Sequence, residues 1–236
     1  MRLEPRERLI FALDVPSADE AKRLLDRVGD AVGFVKIGLE LFTAAGPDLV
    51  RWVVAQNKRV FLDLKLFDIG ETVKRATAAA AGLGATCLTV HAAGQTVRAA
   101  VEGRGPAPMK ILAVTVLTSF SETDLRESGV ADSIRDTVLR RTRLAAAAGA
   151  DGIVASGGEA AMIRKMLGKG PLIVVPGIRP AGSSHDDQIQ VTTPAGAIAA
   201  GADYLVVGRP IRDAADPAAA VRGIQAEIEV ALTYGG

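Results

Sequence analysis

Three charged residues lie close together in the stretch Phe61-Leu-Asp-Leu-Lys-Leu-Phe-Asp-Ile-Gly70, where apolar residues alternate with Asp63 and Lys65. If this stretch is a β-strand, its period of two places Asp63 and Lys65 on the same face. Asp68 follows where the apolar run ends, and Gly70 lets the backbone turn there. Because buried charges are tolerated only when they are paired, one interpretation is a structural Asp63–Lys65 ion pair. Three charges near the C-terminal end of one strand favour a functional site instead.

Other candidate site residues, most of them polar, lie within or just after other strand-like runs. They are Asp14, Lys36, His91, Thr118, Ser119, Pro176, Arg179, Gly208 and Arg209. Each has a simpler interpretation when it is taken alone: Asp14 as a turn or helix-entry residue, His91 as a structural histidine, and Arg209 as a surface charge. Together, at one end of one sheet, they predict an active site.

Eight strand-like runs supply the framework for these residues. They are Leu9–Asp14, Phe34–Gly38, Val60–Lys65, Thr86–His91, Ile111–Thr118, Gly152–Ala155, Leu172–Pro176 and Tyr204–Gly208. Helix-like segments lie between them, among them Ala18–Val28, Gly46–Gln56, Glu71–Ala81, Ile134–Ala148 and Ala160–Leu167. Strand–helix alternation indicates a parallel sheet, and eight such units in 236 residues predict an α/β fold, a (β/α)₈ barrel, as a single domain over residues 1–236.

A weak internal repeat agrees with this architecture, and the main rival lacks its signature. Ala148-Gly-Ala-Asp151 and Ala200-Gly-Ala-Asp203 each precede a strand, as does Ala81-Gly82, with glycine placed to end a helix in the left-handed conformation. A doubly wound dinucleotide-binding sheet is the alternative. Its glycine-rich fingerprint is missing, because Gly82-Leu-Gly84 precedes a strand and has no third glycine.

Composition limits the classes of function. Hydrophobic residues make up 49% of the chain but aromatic residues only 4%, as expected for strands buried on both faces, and the net charge of +1 comes without a basic patch for nucleic acid. Cys87 is the only cysteine, which excludes an internal disulfide, and it is interpreted as a core residue. The N-terminus is charged where a signal peptide is apolar, and no run is long enough to span a bilayer, so a cytoplasmic location is expected.

A phosphate site and a lid are predicted after the last two strands. Gly208-Arg209 follows the eighth strand, where barrels commonly bind phosphate through backbone N–H groups and arginine adds a charged donor. The polar segment between Pro180 and Pro194 follows the seventh strand, with Arg179 at its base, and is typical of a loop that closes over an active site. The roles of His91 and of His185 in this segment are left unassigned.

These residues carry a family resemblance. The motif Asp63-x-Lys65-x-x-Asp68-Ile-Gly, preceded by Asp14 and by Val35-Lys-Ile-Gly38, resembles the orotidine 5′-monophosphate decarboxylase family in its compact bacterial form. Later matches follow in the expected order across nearly the whole chain: Leu117-Thr-Ser119, Val175-Pro-Gly-Ile-Arg179, Asp187-Gln188, Thr193-Pro194 and Val207-Gly-Arg209.

The resemblance implies a barrel without cofactor or metal that forms a homodimer with shared sites, in which Asp68, Ile69 and Thr72 enter the site of the partner. The home chain would supply Lys36, Asp63 and Lys65 as catalytic residues, with Asp68 as the fourth. The substrate contacts it implies are Asp14 and Lys36 on the ribose, Thr118 and Ser119 on the pyrimidine edge, Pro176 in the base pocket, and Arg179, Gln188, Gly208 and Arg209 around the phosphate.

The implied chemistry explains the charges. Loss of CO₂ from C6 of the pyrimidine leaves an electron pair in the plane of the ring, where the π system cannot absorb it. An ammonium at C6, assigned to Lys65, would stabilise this carbanion and then protonate it. Asp63 and Asp68 would hold that ammonium in place.

Two alternatives stay open. A related barrel uses Mg²⁺ on a sugar phosphate, but it would need an acidic ligand where Lys36 stands, and an ammonium repels a metal. A non-catalytic barrel that binds a phosphometabolite would need the phosphate site, but it would have no reason to keep a buried lysine–aspartate cluster.

Overall fold

The structure is a computed structural model that describes residues 3–180 and 192–234. Eight parallel strands close into a barrel in which each strand pairs with the next and the eighth pairs with the first, so the predicted (β/α)₈ barrel is confirmed. The strands are β1 (Leu9–Ala12), β2 (Phe34–Gly38), β3 (Arg59–Leu66), β4 (Cys87–His91), β5 (Lys110–Val114), β6 (Gly152–Val154), β7 (Leu172–Val175) and β8 (Tyr204–Val207).

Helices surround the barrel and cover the outer faces of the strands. Those of the described residues are α1 (Ala18–Val28), α2 (Leu39–Ala55), α3 (Gly70–Gly82), α4 (Gly94–Arg104), α5 (Glu122–Glu127), α6 (Ile134–Ala147), α7 (Gly157–Leu167), α8 (Pro194–Ala199), α9 (Arg209–Arg212) and α10 (Pro217–Tyr234). Within residues 3–180 and 192–234, no helix is both long and apolar enough to cross a membrane.

The core has two layers because the strands are buried on both faces. One layer fills the barrel interior and includes Ile10, Phe34, Phe61, Cys87 and Leu112. The other lies between the strands and the helices and is built mostly of valine, leucine, isoleucine and alanine. Burial of apolar surface in both layers explains a hydrophobic fraction of 49% with few aromatic residues.

Two strands end well before the predicted residue, whereas the other six end within one residue of the prediction. β1 ends at Ala12 and β5 at Val114, so Asp14 and Thr118 lie on the loops that follow the strands. The N–H of Leu13 still donates to the Lys36 carbonyl over 3.0 Å, but regular pairing stops there. Apolar character continues past the last paired residue in both segments, which is why the pattern predicts strands that are too long.

Helix α2 begins before the predicted segment Gly46–Gln56. The helix continues across a kink at Gly46, whose φ of 64° is not helical, and Pro47 starts the second half. Proline at the first turn of a helix loses no hydrogen bond, so the predicted start marks this second half. The first half, from Leu39, follows β2 directly and lies next to the mouth of the barrel.

The repeated Ala-Gly-Ala-Asp segments have the same structure at two places on the bottom of the barrel. Gly149 and Gly201 have φ of 92° and 94°, which side chains other than glycine adopt only with strain. Each aspartate then meets the strand that precedes its own in the barrel: Asp151 accepts from the N–H of Ile111 and Asp203 from that of Ile173.

An arginine completes each of these two connections. Arg104 donates to Asp151, and Arg164 donates to Asp203 over 2.6 Å. Both ion pairs are partly buried, and the aspartate of each pair also accepts a backbone hydrogen bond. They therefore tie neighbouring strands together at the end of the barrel opposite the polar residues. We refer to Asp151, Asp203 and their arginines as the bottom clamps.

Candidate active site

The period of two that builds the barrel interior also positions the charged side chains. Lys36 lies two residues after the interior Phe34, and Asp63 and Lys65 lie two and four residues after the interior Phe61. Alternate residues of a strand point to the same face, so each charge continues an inward-facing row to the C-terminal mouth of the barrel. Active sites of barrels of this type lie at this end.

Four of these side chains form a row of alternating charge. Lys36 Nζ lies 2.8 Å from Asp14 Oδ1 and 3.7 Å from Asp63 Oδ2, while Lys65 Nζ lies 2.8 Å from Asp63 Oδ1. The row therefore runs Asp14, Lys36, Asp63, Lys65, and each lysine lies next to a carboxylate. Lys36 and Asp63 are largely buried in the middle, whereas the ends are more open.

The electrostatics of Asp63 follow from its neighbours. Burial alone would raise the pKa of this carboxyl, but the Lys36 and Lys65 ammonium groups and hydrogen bonds from Lys65 and Thr89 outweigh burial and hold the pKa below its ordinary value. Asp63 is therefore an anion at neutral pH. A fixed negative charge at this position stabilises the two ammonium groups beside it.

The backbone at Lys65 is unusual. Its φ of 48° is one of two positive values among the non-glycine residues that the structure describes, and the pairing of β3 with β4 shifts register between Leu62 and Leu66. Left-handed backbone in a residue with a long side chain costs energy and is concentrated at functional sites. The irregularity brings the Lys65 ammonium beside Asp63 at the barrel mouth.

A cavity of about 440 Å³ connects the charged row to a group of arginines. Asp14, Lys36 and Asp63 line one part, and the arginines of the loops after β7 and β8 line another, together with Ala12, Thr118, Pro176, Gly177, Val206 and Gly208. Those arginines are Arg179, Arg209 and Arg212. The cavity thus has the size of a small-molecule site and a cationic end suited to phosphate.

A smaller cavity of about 120 Å³ continues from the first towards Lys65. It shares Lys36, Asp63, Thr118, Pro176 and Val206 with the larger one, and the other residues around Lys65 are apolar: Phe61, Val114, Val116, Leu117 and Val154. Lys65 is the additional charged group here. An ammonium beside apolar walls acts in a weakly screened environment, where electrostatic interactions are stronger than in water.

Comparison with known proteins agrees with this geometry. The model of the orotidine 5′-phosphate decarboxylase / HUMPS family matches residues 7–224. The chain belongs to this family.

Individual relatives share most of its length. The orotidine 5′-phosphate decarboxylase of Rhodopseudomonas palustris strain HaA2 is 56% identical over 223 residues, covering 94% of this chain and 95% of the relative. The orotidine 5′-phosphate decarboxylase of Methylobacterium sp. strain 4-46 is 55% identical over 229 residues, covering 96% of this chain and 97% of the relative. The crystal structure of orotidine 5′-phosphate decarboxylase from Lactobacillus acidophilus superposes with a TM-score of 0.84 at 38% identity and covers 93% of this chain and 98% of that one.

Most residues that the family resemblance predicts as substrate contacts line the larger cavity: Asp14, Lys36, Thr118, Pro176, Arg179, Gly208 and Arg209. Ser119 does not line either of the two cavities and is exposed. Gln188 and the rest of residues 181–191, where the lid is predicted, lie outside the described residues.

The residues that the decarboxylase family resemblance assigns to the partner's site lie apart from the cavity. Asp68, Ile69 and Thr72 are exposed, at the end of β3 and the start of α3. Asp68 Oδ1 accepts a hydrogen bond from the N–H of Ile69, its own neighbour. In a single chain, therefore, the row of charges ends at Lys65.

His91 and Cys87 fit the structural interpretations. His91 lies at the end of β4 with its ring edge-on to Phe67, 5.5 Å between ring centroids, and burial, Arg141 and Lys65 lower its pKa, so the neutral imidazole prevails at pH 7. Cys87 lies in the barrel interior, where burial raises the pKa of its thiol to about 12. Such a thiol is protonated and a poor nucleophile at neutral pH.

Two polar residues of the site are missing from the sequence predictions. Thr89, two residues after the interior Cys87, donates from its hydroxyl to Asp63 Oδ1 over 3.0 Å, and Arg212 donates to the Asp14 carbonyl over 3.0 Å. Each had a signal in the sequence. Thr89 continues the inward-facing row of β4, and Arg212 lies three residues after Arg209, which is a neighbouring position on a helix.

Proposed function

We propose that this chain converts orotidine 5′-monophosphate into uridine 5′-monophosphate and CO₂, the last step of de novo pyrimidine nucleotide synthesis, without a cofactor. The observation that carries the proposal is one cavity system with Lys65 in a row of alternating charges at one end and three arginines at the other. A nucleotide carries its base and its phosphate at opposite ends in the same way. The names of the relatives support the same reaction.

The proposed step needs no metal or cofactor. The bond between C6 and the carboxylate breaks, CO₂ leaves, and the electron pair remains on C6. The Lys65 ammonium stabilises that pair and then transfers a proton to it, and solvent returns a proton to the amine. Apolar walls around Lys65 keep the charge interaction strong while the carbanion exists.

The other members of the row position Lys65. Asp63 accepts a hydrogen bond from Lys65 Nζ over 2.8 Å and, as an anion, stabilises the ammonium and repels the carboxylate of the substrate. Lys36 lies between Asp63 and Asp14 and balances their charges. Asp14 and Lys36 are the proposed contacts of the ribose hydroxyls.

We further propose a homodimer in which Asp68, Ile69 and Thr72 of one protomer complete the site of the other. The exposed surface beside the mouth supports this arrangement, since Phe67 is 68% exposed and Ile69 is 72% exposed. Large apolar side chains that are this exposed next to a charged group are typical of a surface covered by a partner. Asp68 would then stand as a second carboxylate for Lys65.

The phosphate is proposed to bind at Arg179, Gly208 and Arg209, with Gln188 closing from the predicted lid. Both arginines line the larger cavity at the end away from Lys65, and Gly208 allows a close approach to the backbone. Binding energy gained at a phosphate remote from C6 can drive closure and exclude water from the reacting carbon. We also propose a single catalytic domain over residues 1–236 acting in the cytoplasm, where a charged nucleotide is retained.

The direct test is to incubate the purified chain with orotidine 5′-monophosphate in excess chelator and to follow loss of the orotate absorbance. Activity is expected to be the same with and without chelator, because the proposed chemistry uses only lysine and aspartate. Complete loss in chelator, with recovery on addition of Mg²⁺, would instead favour the sugar-phosphate chemistry found in related barrels.

Lys36 argues against that alternative on structural grounds. Its ammonium lies 2.8 Å from Asp14 and 3.7 Å from Asp63, so the carboxylates that could bind a metal here already face a cation. A non-catalytic binding barrel is disfavoured for a different reason. Burying charges costs free energy that a phosphate-binding role does not require.

Arg209→Ala is expected to lower kcat/KM about 10- to 100-fold, because a charge-assisted hydrogen bond contributes about 1.5–3 kcal/mol and about 1.4 kcal/mol is a factor of ten. The same change in Gln188 should also lower turnover of the phosphorylated substrate. Steady-state kinetics measure both effects.

The nucleoside orotidine, which has no phosphate, tests the assignment of Arg209. The penalty of Arg209→Ala should largely vanish with this substrate, because the interaction that the substitution removes is then already absent. Arg222→Ala on the exposed side of α10 serves as the control and should leave both substrates unaffected. An equal penalty on nucleotide and nucleoside would show that Arg209 does not act through the phosphate.

A further inference from the structure

Thr89 connects the two catalytic side chains of β3 from the neighbouring strand. It is completely buried, and its hydroxyl accepts a hydrogen bond from the N–H of Lys65 over 2.9 Å and donates one to Asp63 Oδ1 over 3.0 Å. The same oxygen of Asp63 accepts from Lys65 Nζ over 2.8 Å. The backbone and the side chain of Lys65 are therefore joined in a closed loop through Thr89 and Asp63.

This loop lies where the sheet is irregular. The register of β3 against β4 shifts between Leu62 and Leu66, and Lys65 has a φ of 48°. A buried backbone N–H without a partner is costly, so a donor displaced from regular pairing needs another acceptor. The hydroxyl of Thr89 is that acceptor, and it stabilises the backbone conformation from which the Lys65 side chain starts.

The second hydrogen bond orients Asp63. The last torsion of an aspartate is broad, so a carboxylate held only by mobile ammonium groups can rotate. Thr89 directs Oδ1 towards itself and Lys65, which leaves Oδ2 towards Lys36 at 3.7 Å. Each oxygen of Asp63 then faces a different lysine, and the alternation of charges has one defined geometry.

We propose that Thr89 is a positioning residue for the decarboxylation, acting through its hydroxyl on the backbone of Lys65 and on the carboxylate of Asp63. The inference rests on the proposed function, because its consequence is measured on that reaction. Thr89 itself does not line either cavity of the site. Its effect therefore falls on the placement of the ammonium and leaves the substrate contacts in place.

The test compares Thr89→Val, which removes the hydroxyl and keeps the shape, with Thr89→Ser, which keeps the hydroxyl. The valine variant is expected to lose about 10- to 100-fold in kcat, with KM changed less than about threefold. Misplaced catalytic groups stabilise the transition state less, while the contacts that bind the substrate are unchanged. The serine variant should stay within about threefold of the parent in both constants. Steady-state kinetics and thermal unfolding are measured on each.

Thr137→Val in α6 is the matched control, because Thr137 is also completely buried and its hydroxyl has no hydrogen-bond partner among the described residues. It should leave kcat unchanged. If the Thr89→Val variant does not fold, Thr89→Ala against Thr89→Ser gives the same comparison, since both lack the methyl group and only one has the hydroxyl.

Two results would overturn the proposal: a valine variant with the kcat of the parent, or serine and valine variants with equal losses, which would show that retaining the hydroxyl does not preserve the rate. Either result leaves the parent's activity, and so the proposed function, intact. A parent chain that does not decarboxylate the nucleotide at all would instead remove the proposed function and this inference with it.

Discussion

Lys65→Ala is expected to lower kcat by roughly 10⁴-fold or more, because one side chain both stabilises the carbanion and protonates it. General acid–base groups contribute about 10²–10⁴-fold, and a single preorganised electrostatic contact about 10²–10³-fold. Lys65→Arg separates the two roles, since guanidinium keeps its charge but does not release its proton near neutral pH. It should therefore also be strongly impaired. Single-turnover loss of orotate absorbance measures both variants.

Two controls accompany this prediction. Lys165→Ala, an exposed lysine on α7, should retain the parent's kcat. Binding of uridine 5′-monophosphate to Lys65→Ala should persist, because the proposed phosphate and ribose contacts do not involve Lys65. A Lys65→Ala variant that keeps more than about one hundredth of the kcat would exclude Lys65 as the proton donor.

Asp68→Ala has the second-largest expected effect, a loss of about 10²–10³-fold in kcat, because the partner's carboxylate is proposed to hold the ammonium in the active dimer. In one chain Asp68 is exposed and contacts the N–H of Ile69, so a role within its own chain would predict little effect. Asp26→Ala, which removes an exposed carboxylate from α1, is the control and should be neutral.

Mixing the two inactive variants distinguishes a shared site from a local one. A heterodimer of Lys65→Ala and Asp68→Ala chains has one site with both defects and one site with neither. Random exchange makes about half of the dimers heterodimers, so about a quarter of the parent's activity should return in a symmetric dimer. Absence of recovery under conditions in which subunits exchange would show that Asp68 does not act across an interface.

The barrel is predictable from sequence because its main signals are local. Strand–helix alternation and the period of two follow from the residue types, and Phe34–Lys36 and Phe61–Asp63–Lys65 show how an interior row becomes a site row at the mouth. The same row on β4 runs from Cys87 through Thr89. Asp63 is located by a charge that alternates with apolar residues. Thr89 is neutral, so the same pattern does not identify it as a site residue.

Other features depend on tertiary pairing, which the sequence pattern does not contain. The φ of 48° at Lys65 arises with the register shift against β4, which no residue in the motif announces. The end of β5 at Val114 is set by where pairing with its neighbours stops, while the apolar character continues towards Thr118. Arg212 reaches the cavity only because a short helix follows β8 and turns it towards Asp14.

The bottom clamps separate the part of the barrel that keeps it folded from the part that reacts. Asp151 and Asp203 tie strands together at one end, through arginine and backbone N–H groups. The buried charges, which cost free energy of folding, lie at the mouth at the other end. Most substitutions destabilise a protein, and sites built for chemistry are seldom built for stability. With its reinforcement placed at the far end, the rim can exchange loops and specificity during evolution while the barrel beneath it stays closed.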